Sequence, residues 1–80
     1  MKEYIATFHT HLAALLTNRA LTSRGVQARM MPVPRKLSSS CGTCVRYLAE
    51  NAHLDAMDED VEAVYETIGK EEYILLMHDT

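Results

Sequence analysis

Both cysteines of the chain, Cys41 and Cys44, stand three residues apart behind three consecutive serines, in the stretch LSSSCGTCVRY at 37–47. That spacing admits four readings: a metal clip, a redox pair, a sulfur-handling nucleophile, or a turn that contains cysteine. A structural zinc needs four ligands and one Cys-x-x-Cys supplies two. His9 and His11 could complete a set with Cys41 and Cys44 across the strand ends, yet no second close ligand pair follows. A disulfide needs Cα atoms within about 7 Å. Four fully extended residues place the outer two about 10 Å apart. Closure therefore demands a turn at Gly42-Thr43.

The nucleophile reading has more support around it. The thiolate is the reactive form of cysteine, and helix N-termini and cations favour it. Arg35, Lys36 and Arg46 are the nearby cations. Gly42 lets backbone approach a ligand closely, and Ser38 to Ser40 bring hydroxyls and N–H groups able to cradle an anion. A loop cysteine that only packs explains the same residues equally well. The remaining histidines, His53 and His78, are scattered, the five methionines suit gap-filling in a core, and Asp58-Glu59-Asp60 reads as a solvated face.

These residues must be held by regular elements. EYIATF at 3–8 alternates Tyr4, Ala6 and Phe8 against Ile5 and Thr7, which predicts a strand. His9, Thr10 and His11 open a helix whose apolar face carries Leu12, Ala13, Leu16 and Ala20, with Leu15 flanking and Gly25 capping its end. VQARMM at 26–31 alternates again and is stopped by Pro32 and Pro34. CVRYL at 44–48 predicts a third strand. Leu54, Met57, Val61, Val64, Tyr65 and Ile68 fall at helical spacing, which predicts a second helix from an Asn51 cap to Gly69. EYILLMH at 72–78 reads as a strand apolar on both sides.

The order β-α-β-β-α-β is the plan of an α+β, ferredoxin-like sandwich: a four-stranded antiparallel sheet with two helices on one face. Its first and third strands are central neighbours. This brings Phe8-His9-Thr10-His11 beside Ser40-Cys41-Gly42. The helix-free face, carrying Ile5, Thr7, Met31, Ile74 and Leu76 or their alternates, is partly apolar and suits a partner or a homodimer.

Eighty residues with 48% hydrophobic and 24% charged content match one globular domain, 1–80, with no room for a deep cofactor cavity. A net charge of −3 argues against a nucleic-acid footprint. No apolar run reaches the ~18 residues of a membrane span, and the first residues lack a signal-peptide pattern. The expected location is the cytoplasm, where two thiols rest reduced.

The run RMMPVPRKLSSSCGTCVRY, with ATF at 6–8, resembles the Putative Se/S carrier protein-like family of small bacterial domains. The resemblance covers nearly the whole chain. It carries the family's Pro-x-Pro-Arg onto Pro32, Pro34 and Arg35, its cysteine onto Cys41 and its glycine onto Gly42. It implies a carrier that holds a persulfide or selenosulfide on Cys41 for delivery between sulfur or selenium donor and acceptor proteins. In that reading Ser40 and Gly42 shape an anion-binding backbone and Arg35 favours the charged sulfur. The sequence departs from the family at Cys44, an optional resolving thiol in a position where a packing residue is expected. No cofactor, metal, nucleic acid or membrane enters this reading, and the chain is a transfer protein rather than a turnover enzyme. The alternatives are a non-catalytic interaction or regulatory domain acting through the open sheet face, and a small Cys/His metal site.

Overall fold

The computed structural model describes residues 1–79. Five strands and one helix follow in the order β1 (Lys2–Phe8), α1 (His11–Ser23), β2 (Gln27–Pro32), β3 (Thr43–Ala49), β4 (Val61–Gly69) and β5 (Glu72–His78). A single 3-10 turn at Leu54–Ala56 lies between β3 and β4. All neighbouring strands are antiparallel, and the sheet order is β2-β3-β1-β4-β5. The α+β class and the central β1–β3 pair match expectation. The four-stranded, two-helix plan does not.

The correction concerns residues 51–69, which the helical spacing assigned to a second helix. Three local features defeat that helix. Asn51 caps nothing; its side chain accepts the His53 N–H at 3.0 Å in a turn. His53 is left-handed at φ 49°, which breaks any helix starting at Asn51. Asp58 accepts the Asp60 N–H at 3.1 Å, and its carbonyl accepts the Val61 N–H at 3.0 Å, so the acidic run is a turn. From Val61 the residues are Val, Ala, Val, Tyr, Thr and Ile with two glutamates between, a β-branched and aromatic composition that packs well on a pleated surface. The new strand takes the place beside β1 and moves 72–78 to the sheet edge, next to β4.

Tyr4, Ala6, Phe8, Val45, Tyr47, Ala49, Val61 and Val64 form the core beneath α1. Tyr4 and Tyr47 are cross-strand partners with ring centroids 5.2 Å apart and planes inclined by 26°. Such a pair adds about 1 kcal/mol beyond the area it buries. The Tyr47 hydroxyl donates to the Ala52 carbonyl at 2.6 Å. Burial and the nearby Tyr4 push that phenol far above its ordinary range.

Helix α1 begins where Thr10 caps it, the hydroxyl accepting the Ala13 N–H at 3.1 Å. It ends at Arg24, followed by Gly25 at φ +82°, the left-handed residue expected after a helix. Its buried side is Ala13, Ala14, Thr17 and Leu21. The expected Leu12–Leu16 stripe is instead exposed, at 61% and 42%. The small alanines let the helix sit close to β1, β2 and β3, and the leucines flank that contact. Thr17 belongs inside because its hydroxyl accepts the Asp58 N–H at 3.0 Å. Arg24 forks onto both Asp55 oxygens at 2.9 and 3.1 Å, tying the helix end to the 3-10 turn.

The face opposite α1 is less open than expected. Ile5 and Thr7 lie on it and are buried, together with Cys44 and Ala63. Apart from Met1, Leu12, Leu16 and Leu54, the exposed large apolar side chains gather near the β5 edge, at Ile68, Ile74, Leu75 and Leu76. Ile74, expected on the open face, pairs with Glu66 in the register of the helix side.

Candidate functional site

The stretch between β2 and β3 is shaped residue by residue. Pro32 ends β2, and the Val33 N–H then donates to the Gly42 carbonyl at 3.1 Å, closing the neck of the loop. Pro34 to Leu37 form a turn, with the Leu37 N–H on the Pro34 carbonyl at 3.0 Å, and this turn holds Arg35 and Lys36 out in solvent. Ser39 returns the chain to the end of β1 by donating to the Phe8 carbonyl at 2.9 Å. Ser40 docks on β4: its N–H and hydroxyl donate to the two oxygens of Glu62 at 3.0 and 2.7 Å. Gly42 then takes φ +75° to turn the chain into β3. A Cβ there would meet nothing, so glycine is required for its backbone conformation and not for space.

Cys41 sits inside this frame. It is half-buried and packs against the edge of the core under α1. Its thiol donates to the Thr43 carbonyl at 3.3 Å and lies 3.8 Å from the Ser39 hydroxyl. Cys44, the second residue of β3, points to the opposite face between Met31 and Thr7, its register partners. It is fully buried, and its thiol faces the Pro32 carbonyl at 3.7 Å. Burial first, and the neighbouring Cys41 second, raise its pKa to about 11. Both cysteines are free thiols.

Beyond Ser40, Glu62 also approaches His9 Nδ1 at 3.4 Å, and His9 Nε2 meets Asp79 at 3.1 Å. Burial pushes the Glu62 carboxyl up, but the donors of Ser40 and Ser39 and the charge of His9 outweigh it and leave its pKa lowered. A cavity of about 120 Å³ opens here, with Thr7, Ser38, Glu62 and Tyr65 in its wall. The Thr7 hydroxyl is buried and has no hydrogen-bond partner among the described residues. Among the described residues, no three of His, Cys, Asp and Glu are grouped to hold a metal ion.

The expected neighbours are therefore partly assembled. Phe8, Ser39, Ser40, Cys41 and Gly42 converge, as the β1–β3 pairing required. His9 turns to Glu62 and Asp79. Arg35 remains exposed in its turn, and no ion pair links it to another described residue. Arg46 is engaged by Glu3 at 2.6 Å. The Ser40 donors do hold an anion, and it is the chain's own Glu62. Glu62 and the Thr43 carbonyl had no role in the sequence reading, and Ser39, read there as part of an anion cradle, instead donates to the Phe8 carbonyl. Glu62 became visible only once 61–69 was a strand, because a helix would have carried it into solvent.

The model of the Putative Se/S carrier protein-like family matches residues 3–75. The chain belongs to this family. The match runs from the start of β1 into β5 and so includes the whole Cys41 loop. Among curated proteins, the uncharacterized protein YtiA of Escherichia coli (strain K12) is 36% identical over 45 residues. That match spans 56% of this chain and 53% of the relative, about half of each. No solved structure matches.

Proposed function

We propose that this member of the Se/S carrier-like family carries sulfur or selenium on Cys41 between a donor and an acceptor protein. The observation that carries the reading is the contrast in access: Cys41 is the reachable thiol, on a loop pinned at Ser39 and Ser40, while Cys44 is sealed in the sheet. In loading, the Cys41 thiolate attacks the outer sulfur of a donor persulfide. The new bond joins the two sulfurs, the donor's S–S bond breaks, and the donor leaves as a thiolate with the electron pair. In delivery, an acceptor nucleophile attacks that outer sulfur and Cys41 returns to a thiolate. Neither step needs a cofactor. The pinned loop holds the sulfur at one position, and the left-handed backbone of Gly42 turns the chain from it into β3. Cys44 takes no part as a resolving thiol, because its side chain lies on the other face of the sheet. The family description supports this assignment, and a cytoplasmic location would keep Cys41 reduced.

The test is intact mass after incubation with cysteine and a cysteine desulfurase as persulfide donor. One sulfur adds about 32 Da, and the adduct should map to the peptide containing Cys41 and be removed by a thiol reductant. An unmodified mass under conditions that persulfidate a known acceptor sinks the carrier reading. The second reading, a non-catalytic interaction domain, rests on Ile68, Ile74, Leu75 and Leu76 exposed near the β5 edge. Light scattering at micromolar protein tests it as self-association, with Leu75→Lys expected to lower the mass if this strip joins two copies.

A further inference from the structure

Away from the Cys41 loop, β2 and β3 place two guanidinium groups directly opposite each other. Arg29 and Arg46 are register partners, and both side chains lie on the face opposite α1. Like charges paired across strands are destabilising. Only one of the two is neutralised: Arg46 donates to Glu3 at 2.6 Å, whereas Arg29 has no ion pair among the described residues. Between them lies a cavity of about 230 Å³, walled by Gln27, Ala28, Arg29, Arg46, Tyr47 and Leu48.

We infer that this cleft binds a phosphate-class oxyanion, held between the Arg29 and Arg46 guanidiniums with the Gln27 amide as a further donor. Several features converge on that class. Arginine is the side chain suited to forked recognition of oxyanions, and two forks from adjacent strands offer more donors than the two oxygens of one carboxylate can accept. Glu3 already supplies a carboxylate to Arg46, orients that guanidinium, and leaves a net charge of one on the cleft for an incoming anion to neutralise. The cavity is roomy enough for a phosphate with an organic substituent. β2 is an edge strand, so the cleft is open from the side. The site shares no residue with the Cys41 loop and stands or falls independently of the carrier reading.

The experiment is a titration of the 15N-labelled chain, followed at the arginine Nε–H and backbone amide resonances. Inorganic phosphate, O-phosphoserine and acetate are added in turn, each against a sodium chloride control of equal ionic strength. The expected result is saturable movement of the Arg29 and Arg46 Nε–H signals with phosphate and phosphoserine, and at least tenfold weaker response to acetate. Arg29→Gln should remove saturation while leaving the rest of the spectrum in place, since Arg29 makes no side-chain hydrogen bond or ion pair among the described residues. Arg46→Gln also frees Glu3 and serves only as a companion. Linear shifts equal to those in chloride, an acetate response as strong as that to phosphate, or undiminished saturation in Arg29→Gln would each overturn the assignment.

Discussion

Cys41 and Cys44 are separated by a glycine and a threonine, yet they occupy opposite environments. Cys41 hangs at the end of a pinned loop, half in solvent, its thiol turned to a carbonyl two residues on. Cys44 is a strand residue under the far side of the sheet, fully buried, with its ionisation driven up to about 11. The difference comes from Gly42. Its left-handed backbone separates a loop conformation before it from an alternating strand after it. Sequence spacing of two cysteines says little about their chemistry until the chain between them is known.

The sharpest way to break the comparison is deletion of each thiol. Cys41→Ala should abolish sulfur loading measured by intact mass, and Cys44→Ala should leave it unchanged. Equal loss in both variants would mean the thiols work as a pair. Next in size is alkylation. Raising a thiol from 9.0 to about 11 lowers its thiolate fraction about 100-fold at neutral pH, and burial slows it further. Iodoacetamide followed by peptide mass should therefore label Cys41 first; comparable rates at the two sites would contradict the buried placement of Cys44.

Stability gives a third measure. The folded-state pKa of Cys44 is raised, so its neutral form favours folding below the ordinary 9.0, and that contribution is lost as pH climbs through about 11. Urea unfolding of the wild type should weaken across this alkaline window. Cys44→Ala should start about 1 kcal/mol less stable, from lost packing, and show a flatter curve there. A parallel decline in both would place the titration elsewhere.

The smallest effect sharpens the other half of the comparison, the pinning of the Cys41 loop. Glu62 is held ionised by Ser40, so its contribution is present above the ordinary 4.5 and fades as pH falls through its lowered folded value. Glu62→Gln should blunt that acid-side loss of stability and speed amide exchange at Ser40, with the core amides unchanged. Wild-type exchange at Ser40 in the variant would show that the loop is held by Ser39 alone.

The sequence was most legible where local signals agreed with the fold. The helix start at the His9-Thr10-His11 trio, Gly25 as terminator, the prolines at the end of β2 and the alternation in β1 all proved sound, and the β1–β3 pairing held although the four-stranded, two-helix plan it was drawn from did not. It misled where two periods competed. Leu54 and Met57 lent helical spacing to Val61, Val64 and Ile68, although β-branching in the later residues favoured a strand. The same weighting put Leu12 and Leu16 on the buried side of α1. A helix lying close to a sheet needs alanine at the contact, and hydrophobicity alone does not reveal that. In the site, Cys41 and Gly42 were readable from the motif and its family resemblance. Glu62 was not, because its partner Ser40 is distant in sequence and the assigned helix aimed it outward.

The central place of β1 has a consequence for how the molecule is made. β1 is synthesised before both of its neighbours, β3 on one side and β4 on the other, and Glu3 lies opposite both Leu48 and Thr67. Neither neighbour is a hairpin partner. During translation β1 must wait, with Tyr4, Ile5 and Phe8 uncovered, until β3 and β4 have left the ribosome. Long-range closure of this kind slows folding relative to local pairing. The nascent chain thus leaves uncovered longest the strand that ends most deeply buried, and its yield in cells depends on what shields that strand meanwhile.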